Sequence, residues 1–363
     1  MASEEEQLRS IREEIDALDE QIQELISRRA QCASEVARIK RESNPEVNDF
    51  YRPEREAEVL RMVKARNKGP LDDETMVRLF RQIMSDSLAL QMPLQVAYLG
   101  PEGTYTHAAA LKQFGEAINP IPMAAIDEVF REVESGSASY GIVPVENSTE
   151  GVINHTLDMF MQSPLNICGE VSLRIHHHLI TKAGSLDGID KIYGHAQALA
   201  QCREWLDANL HHVERVAVSS NAEAARIASE FTDAAATASE AAAAIYGLDT
   251  LVSNIEDDPN NTTRFIVIGK QSVPPSGNDK TSLLLSTPNR PGALHDMLKP
   301  IADNGVSMTR IESRPSRRAA WDYVFFVDVD GHQQDPAVSK VLQELKENTF
   351  LVRVLGSYPV SIL

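Results

Sequence analysis

The chain has 363 residues, 42% of them hydrophobic and 24% charged, with a formal net charge of −18. This length predicts two or three domains of a soluble globular protein, and the negative charge argues against nucleic acid and anionic membranes as partners. No secretory signal or membrane-spanning stretch is predicted, because the N-terminus is acidic and the apolar runs are short. Cys32, Cys168 and Cys202 form no CxxC pair, which indicates reduced thiols in a cytoplasm.

The first segment predicts one long helix over about residues 8–40, because its apolar residues alternate in spacings of three and four. A second helix is predicted from Pro53 to about Ala65, and a third from the acidic residues 72–75 to about Gln91. The long helix would span roughly 50 Å and cannot bury its apolar stripe alone. Three such helices predict an intertwined dimer. The stripe consists of Leu8, Ile11, Ile15, Leu18, Ile22, Leu25, Cys32, Val36 and Ile39.

Basic residues lie along this apolar seam. Arg29 occupies a seam position and therefore needs an anionic partner within the helical assembly, while Arg12 and Lys40 flank the same face. Ser87 and Gln91 share a stripe of the third helix. Solvated salt bridges are the alternative for any one arginine, but polar residues facing one seam from separate helices favour a dry pocket for a small dicarboxylate. The second helix adds Arg52, Arg55 and Glu56 near its start.

The strings LRSIREEIDALDEQI, RRAQCASEVARIK, PEREAEVL and LFRQIMSDSLALQ resemble the all-helical chorismate mutases over residues 1–92. The reaction, chorismate to prephenate, is a pericyclic rearrangement that requires no base, nucleophile, metal or cofactor. Arginines would clamp the two carboxylates, and Lys40 and Gln91 would donate hydrogen bonds to the ether oxygen. The resemblance implies a site of Arg12, Arg29, Lys40, Arg55, Glu56, Ser87 and Gln91, with Arg52 or Glu54 as alternatives to Arg55 and Glu56.

Strands and helices alternate over residues 93–270, which predicts an α/β domain whose sheet is covered on both faces. Predicted strands are LQVAYLG, YGIVPVE, KIYGH and VERVAVS, and RFIVIGK ends the segment. The stretch Ala234–Ala244 is predicted to be helical because alanine favours helices. The helices that follow the first four strands are predicted to start at Tyr105, Val152, Ala198 and Ala222.

Three motifs, GPEGTYTHAAA, IVPVENSTEG and NNTTRF, lie where strands meet loops or helices. Glycines and hydroxyls at a helix N-terminus can bind an anion, and polar groups at strand ends converge on the crevice of an open α/β sheet. Taken singly, the first could be a generic turn and the second a helix cap. None is a nicotinamide or ATP fingerprint. The histidines 176–178 predict no metal site, because neighbours along a strand point to opposite faces.

Together with GHAQALAQC, these motifs resemble prephenate dehydratase over residues 94–270, although Gly194 and Ala196 stand where serine and proline are common. The resemblance implies two α/β lobes around a cleft, like a periplasmic binding protein, and no cofactor. Thr263 would donate to the departing ring hydroxyl and Glu146 would tune the proton network, while Arg264 would bind a carboxylate or be structural. The implied site is Thr104, Glu146, Asn147, Ser148, Gln201, Thr263, Arg264 and Phe265.

After the linker SVPPSGND, residues 279–363 predict the βαββαβ order of a ferredoxin-like α+β domain. PGALHDML and TRIESRP resemble the ACT-type regulatory domain, in which phenylalanine binds between subunits. A glycine at position 292 would let the backbone approach a ligand at a helix N-terminus. The implied phenylalanine site is Gly292, Ala293, Leu294, Glu312, Ser313 and Arg314.

The three resemblances imply a multidomain, homo-oligomeric enzyme, a dimer or tetramer, that makes phenylpyruvate from chorismate through prephenate and is inhibited by L-phenylalanine. The domains would be 1–92, 93–270 and 279–363. A non-enzymatic amino-acid receptor is the alternative from another class, and the basic seam and the TRF motif argue against it. Arogenate, which differs from prephenate by one amino group, is the alternative substrate of the dehydratase.

Overall fold

The computed structural model describes residues 3–43, 50–287, 290–316 and 323–362. Within them the helices are α1 (Glu4–Ser43), α2 (Pro53–Arg66), α3 (Asp73–Ala89), α4 (Tyr105–Phe114), α5 (Ile126–Ser135), α6 (Asn154–Phe160), α7 (Ala196–Gln201), α8 (Arg203–Asn209), α9 (Asn221–Ala228), α10 (Glu240–Tyr246), α11 (Ala293–Asp303) and α12 (Pro336–Asn348). The strands are β1 (Gln95–Leu99), β2 (Asn119–Met123), β3 (Tyr140–Asn147), β4 (Gly151–Val152), β5 (Asn166–Arg174), β6 (His178–Thr181), β7 (Lys191–His195), β8 (Glu214–Val218), β9 (Ala234–Ala238), β10 (Asp249–Val252), β11 (Thr262–Gly269), β12 (Asp279–Ser286), β13 (Met308–Pro315), β14 (Tyr323–Asp330) and β15 (Leu351–Pro359).

The three N-terminal helices lie where the sequence predicts them. Helix α1 has 40 residues, of which Ala37 alone is buried, and its apolar stripe is exposed: Ile11 is 53% and Leu25 61% accessible. Helices α2 and α3 pack on each other, and Asp72 caps α3 by accepting a hydrogen bond from the Thr75 amide. No helix of the described ranges is both long and apolar enough to cross a membrane. The stripe on α1 therefore remains uncovered within one chain.

The α/β segment contains two sheets. The first has the order β2-β1-β3-β11-β5 with β4 paired to β3, and the second has the order β10-β6-β9-β7-β8. The chain passes to the second sheet after β5 and returns through β11, which pairs antiparallel with both β3 and β5. Each sheet has its own apolar clusters, so the two halves meet along the connections between them.

Two local predictions were wrong. Ala234–Ala238 forms strand β9, fully buried between β6 and β7, and only Glu240–Tyr246 is helical. Burial overrode helix propensity there, because a central strand of small side chains lets helices pack closely on the sheet. The helix predicted from Val152 begins at Asn154, since Gly151–Val152 pairs with β3 as β4.

The C-terminal sheet has the order β13-β14-β12-β15 and the predicted βαββαβ succession. One face packs on α11 and α12 through Leu283 and Leu285, and the other shares a core with the first α/β sheet through Leu284. The β15 backbone touches the β5 backbone, because a Cβ on Gly356 would collide with the carbonyl group of Ile167. The C-terminal sheet is therefore built onto the α/β segment.

A buried ionic network joins these two sheets. Arg264 of β11 contacts Glu170 at 2.8 Å, Asp328 of β14 at 2.7 Å and the Tyr358 hydroxyl at 3.0 Å. Lys280 also pairs with Glu170, at 2.9 Å. Burial alone would raise the pKa of Asp328, but the Arg264 charge, the Ser282 hydrogen bond and the Arg310 charge together outweigh burial and lower that pKa. Each buried charge of the network thus depends on a partner from the other sheet.

We expect Arg264→Ala to lower the free energy of unfolding by about 3–5 kcal/mol, because it leaves buried carboxylates without their shared partner. Urea unfolding at pH 7 measures the change. The matched control is Arg131→Ala, which removes an exposed arginine paired with Asp127 and Glu128 and should cost less than about 1 kcal/mol. Equal losses in the two variants would contradict a central role for Arg264.

Candidate active sites

A cavity of about 180 Å³ lies where the two α/β sheets meet. Its polar wall combines side chains from both halves: Thr263 is the second residue of β11, Asn147 ends β3, Gln201 ends α7, and His177 precedes β6. Tyr105, the first residue of α4, lies beside His177. The remaining lining residues are Glu150, Ile153, Ile175, His195, Gln197, Ala198, Asn221 and Asn261.

The side-chain amide of Asn147 has a fixed orientation. Its Oδ1 accepts hydrogen bonds from the backbone amides of Thr149 at 3.0 Å and Glu150 at 2.9 Å, and backbone amides can only donate. Nδ2 must therefore point the other way, and it donates to Asn261 Oδ1 at 2.8 Å and to Thr263 Oγ1 at 2.9 Å. Since Thr263 Oγ1 accepts from Asn147, its own hydrogen is available for a group in the cavity.

The hydrogen bonds continue from Asn261 to the far wall. Asn261 Nδ2 donates to Gln201 Oε1 at 3.1 Å, and His177 Nε2 lies 3.0 Å from the same oxygen. His177 Nδ1 lies 2.9 Å from the Tyr105 hydroxyl, which also donates to the His176 carbonyl at 2.6 Å. His177 is 2% accessible, and burial lowers its pKa, so its ring is neutral at pH 7. Six side chains form one connected chain across the cavity.

Three of the predicted dehydratase residues meet in this cavity: Asn147, Gln201 and Thr263. Thr104 lies next to it as the N-cap of α4, and its hydroxyl donates to the Leu99 carbonyl. Ser148 is exposed outside the lining, where its hydroxyl accepts from the Thr262 amide. The loop 147–151 is thus held to β11 by Ser148, while Asn147 faces the cavity.

Three other predicted residues lie outside the cavity lining. Glu146 lies beside Arg264 in the β3–β11 register, and its carboxylate pairs with Arg310 of β13 at 3.2 Å. Arg264 is held in the ionic network described above, which agrees with the structural alternative given for it. Phe265 is 2% accessible and packs in the core beneath α4, so its ring is no part of the cavity wall. Side chains alternate along strands, and a motif of consecutive residues is divided between faces.

Ten of the lining residues were not predicted, and four of them have polar side chains that matter for the hydrogen bonds across the cavity: Tyr105, Glu150, His177 and Asn261. Tyr105, Glu150 and Asn261 stand inside the motifs GTYTHAAA, NSTEG and NNTTRF, so motif membership was the available signal. His177 was considered only as a metal ligand. No cluster of three or more metal-ligating side chains occurs in the part of the chain that the structure describes. His176 instead pairs with Glu256 at 2.7 Å.

In the helical region, Arg29 of α1 donates to the Ser87 hydroxyl of α3 at 2.9 Å, as expected for residues on a common seam. Near the end of α1, Lys40 lies 5.6 Å from the centre of the Phe50 ring, and Arg41 donates to the Gln91 carbonyl at 2.7 Å. These contacts bring Arg29 and Ser87 together and hold Lys40 and Gln91 near the same end of α1.

Arg12 is far from that group within one chain. It stands 17 positions before Arg29 on the continuous helix α1, a separation of about 25 Å at 1.5 Å per residue. A small dicarboxylate cannot reach across that distance. Arg52 and Arg55 are exposed at the start of α2, where Arg55 pairs with Glu58 at 2.9 Å.

Glu56 does not face Arg29. Its carboxylate lies 3.4 Å from Arg81 Nε, and Arg81 also donates to the Lys112 carbonyl at the end of α4. Positions 81 and 87 differ by about 120° around a helix, so Arg81 and Ser87, which faces Arg29, lie on different sides of α3. Burial raises the pKa of Glu56 to about 7, and Arg81 opposes that shift. Within one chain, Glu56 therefore lies away from Arg29 and Ser87.

In the C-terminal sheet, Gly292 precedes α11 with φ +80°, followed by buried Ala293 and half-exposed Leu294. Glu312 and Ser313 lie on the edge strand β13, and Ser313 is exposed. Arg314 is not directed at the Gly292 turn, because it pairs with Asp158 of α6 at 2.8 Å. Arg310 and Arg314 share one face of β13, and both reach the first α/β sheet and its helices.

Comparisons with known families agree with this three-part structure. The family model of type II chorismate mutase matches residues 11–92, that of prephenate dehydratase matches 96–273, and that of the ACT domain matches 281–347. A bifunctional chorismate mutase/prephenate dehydratase from Stutzerimonas stutzeri is 57% identical over 99% of this chain and 100% of the relative.

Two solved structures resemble the part that follows the helices. A prephenate dehydratase from Arthrobacter aurescens in complex with L-Phe has 36% identity and a TM-score of 0.68, covering 73% of this chain and 89% of the other. GqqA, described as a quorum-quenching acylase, has 31% identity and a TM-score of 0.68, covering 74% of this chain and 98% of the other. Since one fold accommodates different activities, the fold alone does not define the reaction.

Two catalytic regions followed by an ACT domain define a bifunctional, regulated enzyme of aromatic amino-acid biosynthesis. The chain belongs to the family of bifunctional chorismate mutase/prephenate dehydratases, the enzymes that lead from chorismate through prephenate toward phenylalanine.

The buried position of Glu56 predicts a pH-dependent stability. Its folded pKa of about 7 exceeds the unfolded value of about 4.3. Its contribution to the free energy of unfolding is therefore fully present below pH 4.3 and is lost as pH rises through 7. We expect Glu56→Gln to flatten the decline in unfolding free energy between pH 5 and 8, measured by urea titration. Glu58→Gln, on the same helix but exposed, should retain the wild-type slope. An unchanged slope in Glu56→Gln would contradict the burial of this carboxyl.

Proposed function

We propose that the cavity between the two α/β sheets is the dehydratase site, that residues 1–92 form the mutase site in a dimer, and that the ACT sheet binds L-phenylalanine. The proposed domains are 1–92, 93–270 and 279–363. The observation that carries the dehydratase assignment is the Asn147–Thr263 hydrogen bond, which leaves the Thr263 hydrogen free to act. Cys32, Cys168 and Cys202 form no disulfide within the described residues, which supports the cytoplasm as the proposed location.

In the dehydratase reaction, the bond between the prephenate ring and its carboxylate breaks and CO₂ leaves. The electron pair enters the ring and expels the ring hydroxyl, which takes a proton from Thr263 and leaves as water. Thr263 regains a proton from solvent. Aromatisation drives the step, so the residues need only orient the substrate and supply one proton. Gln201 Nε2 contacts Glu150 at 3.4 Å and can offer its other hydrogen to a substrate oxygen. Two lobes closing on the substrate, as in periplasmic binding proteins, would exclude water.

The mutase site requires a second chain. Arg12 and Arg29 cannot contact one dicarboxylate from the same helix, and the apolar stripe of α1 is exposed along its length. An antiparallel pairing of two α1 helices would bury both stripes and bring Arg12 of one chain toward Arg29 of the other. The arginines would then clamp the chorismate carboxylates, with Lys40 and Gln91 at the ether oxygen.

The ACT sheet is proposed to bind L-phenylalanine beside the Gly292 turn, with the amides at the start of α11 receiving its carboxylate. Leu294 and the exposed face of β13 would contact the ring at an interface between subunits. The complex of the Arthrobacter aurescens dehydratase with L-Phe supports this assignment. Coupling to the dehydratase requires that phenylalanine bind one state of the protein more tightly, by about 1–3 kcal/mol.

Two substitutions should separate the activities. We expect Arg29→Ala to lower mutase activity at least tenfold while sparing conversion of supplied prephenate, because a charge-assisted contact to the substrate is lost. Thr263→Ala should lower dehydratase activity at least tenfold and let prephenate accumulate from chorismate. Both rates are followed by absorbance, with arogenate as a parallel substrate. Equal loss of both activities in either variant would contradict separate sites.

Feedback inhibition should depend on the Gly292 turn. We expect Gly292→Val to reduce inhibition of the dehydratase by L-phenylalanine at least tenfold and to leave the uninhibited rate within twofold. A valine at position 292 would be strained by the positive φ, and its side chain would obstruct the binding of L-phenylalanine. The matched control is Gly305→Val, which carries the same strain (φ +66°) past the other end of α11. Unchanged inhibition in Gly292→Val would place phenylalanine elsewhere.

A further inference from the structure

Building on the proposed dehydratase site, we propose that Tyr105 and His177 are positioning residues that hold the Thr263 hydroxyl in its donating orientation from the opposite wall of the cavity. Neither has to touch the substrate to do so. They act through the connected side chains of Gln201, Asn261 and Asn147.

Backbone amides set the first hydrogen-bond direction in this network, because an N–H group can only donate. The amides of Thr149 and Glu150 fix Asn147 Oδ1 as an acceptor, which fixes Nδ2 as the donor to Asn261 Oδ1. Asn261 Nδ2 must then donate to Gln201 Oε1. The side-chain amides of Asn147, Asn261 and Gln201 consequently each have one orientation that matches donors with acceptors.

The contact with Gln201 determines the tautomer of His177. Because Gln201 Oε1 is an acceptor, His177 Nε2, at 3.0 Å, must carry the hydrogen. Nδ1 of the neutral ring is then an acceptor, and the Tyr105 hydroxyl at 2.9 Å shares its hydrogen between this nitrogen and the His176 carbonyl. Glu256 holds the backbone of this segment by accepting from the His177 amide at 2.9 Å. Tyr105 thereby selects the tautomer that orients Gln201.

His177 and Asn261 lie in a deeply buried part of the cavity wall. His177 is 2% and Asn261 2% accessible, whereas Gln201 is only partly buried. Without His177, Gln201 Oε1 would keep only the Asn261 hydrogen bond, and the amides could rotate. Asn147 would then spend part of its time with a different partner, and the Thr263 hydrogen would no longer be directed consistently into the cavity.

The test compares His177→Leu, which removes both ring nitrogens, with His177→Gln, whose Nε2 can still donate to Gln201. We expect His177→Leu to lower dehydratase kcat at least tenfold with KM changed less than threefold, and His177→Gln to recover most of that loss. Tyr105→Phe should cost less than His177→Leu. Mutase activity of the same chain reports that the variants are folded. His178→Gln is the neighbouring control, because the His178 ring lies outside the network and accepts a hydrogen bond from the Asn254 amide.

A double-substitution cycle distinguishes positioning through the chain from a local packing role. In the Asn261→Ala background, where the connection is already broken, His177→Leu should reduce kcat by less than a further twofold. Three outcomes would each overturn the proposal. The kcat losses of Asn261→Ala and His177→Leu could multiply in the double variant, or His177→Leu alone could keep a kcat within twofold of the unsubstituted enzyme. The third outcome is that His177→Gln and His177→Leu are equally impaired. Failure of the unsubstituted enzyme to convert prephenate, or full activity of Thr263→Ala, would instead overturn the proposed dehydratase site.

Discussion

Successive side chains of strand β11 point to opposite faces of a sheet that is covered on both sides. One face therefore lines the cavity, and the other contacts the C-terminal sheet. Thr263 opens onto the cavity, Arg264 enters the ionic network with the C-terminal sheet, and Phe265 fills the core under α4. Residues paired across β11 and β3 lie on the same face, so Asn147 lies beside Thr263 and Glu146 lies beside Arg264. One strand therefore carries both the proposed catalytic hydroxyl, on Thr263, and the contact with the C-terminal sheet, on the next residue, Arg264.

The helical region obeys a different constraint. A straight helix of 40 residues spreads its polar side chains over a length that no small substrate can bridge, and it exposes an apolar stripe along the way. The proposed pairing with a second copy of the helix would resolve both features. The proposed dehydratase cavity differs, because one chain supplies every residue of its hydrogen-bonded network. Under these proposals, only the mutase activity would require a second chain.

Periodic patterns in the sequence were sufficient to predict the helical and mixed segments and the order of the C-terminal elements. They failed at Ala234–Ala238, where packing in a central strand overrode alanine's helix propensity. The motifs located Asn147, Gln201 and Thr263 correctly at one cavity, but a motif does not reveal which face of a strand each residue occupies. Glu146 and Arg264 lie on the other face and pair with Arg310 and Asp328. Phe265 shares the face of Thr263 but is buried in the core beneath α4, and Glu56 pairs with Arg81 instead of facing Arg29.

The core shared between the C-terminal sheet and the first α/β sheet has a consequence for cooperativity. Leu284 and Phe326 pack in the same cluster as Ile266 and Phe160, whereas the second α/β sheet has clusters of its own. Segments that share a core open and close as one unit, while segments with separate cores can open independently. In hydrogen exchange, amides of β12, β14 and β11 should therefore exchange through a common opening, and those of β6 to β10 through another. The boundary between these cooperative units passes through the cavity itself, so the less stable unit limits how long the site stays assembled.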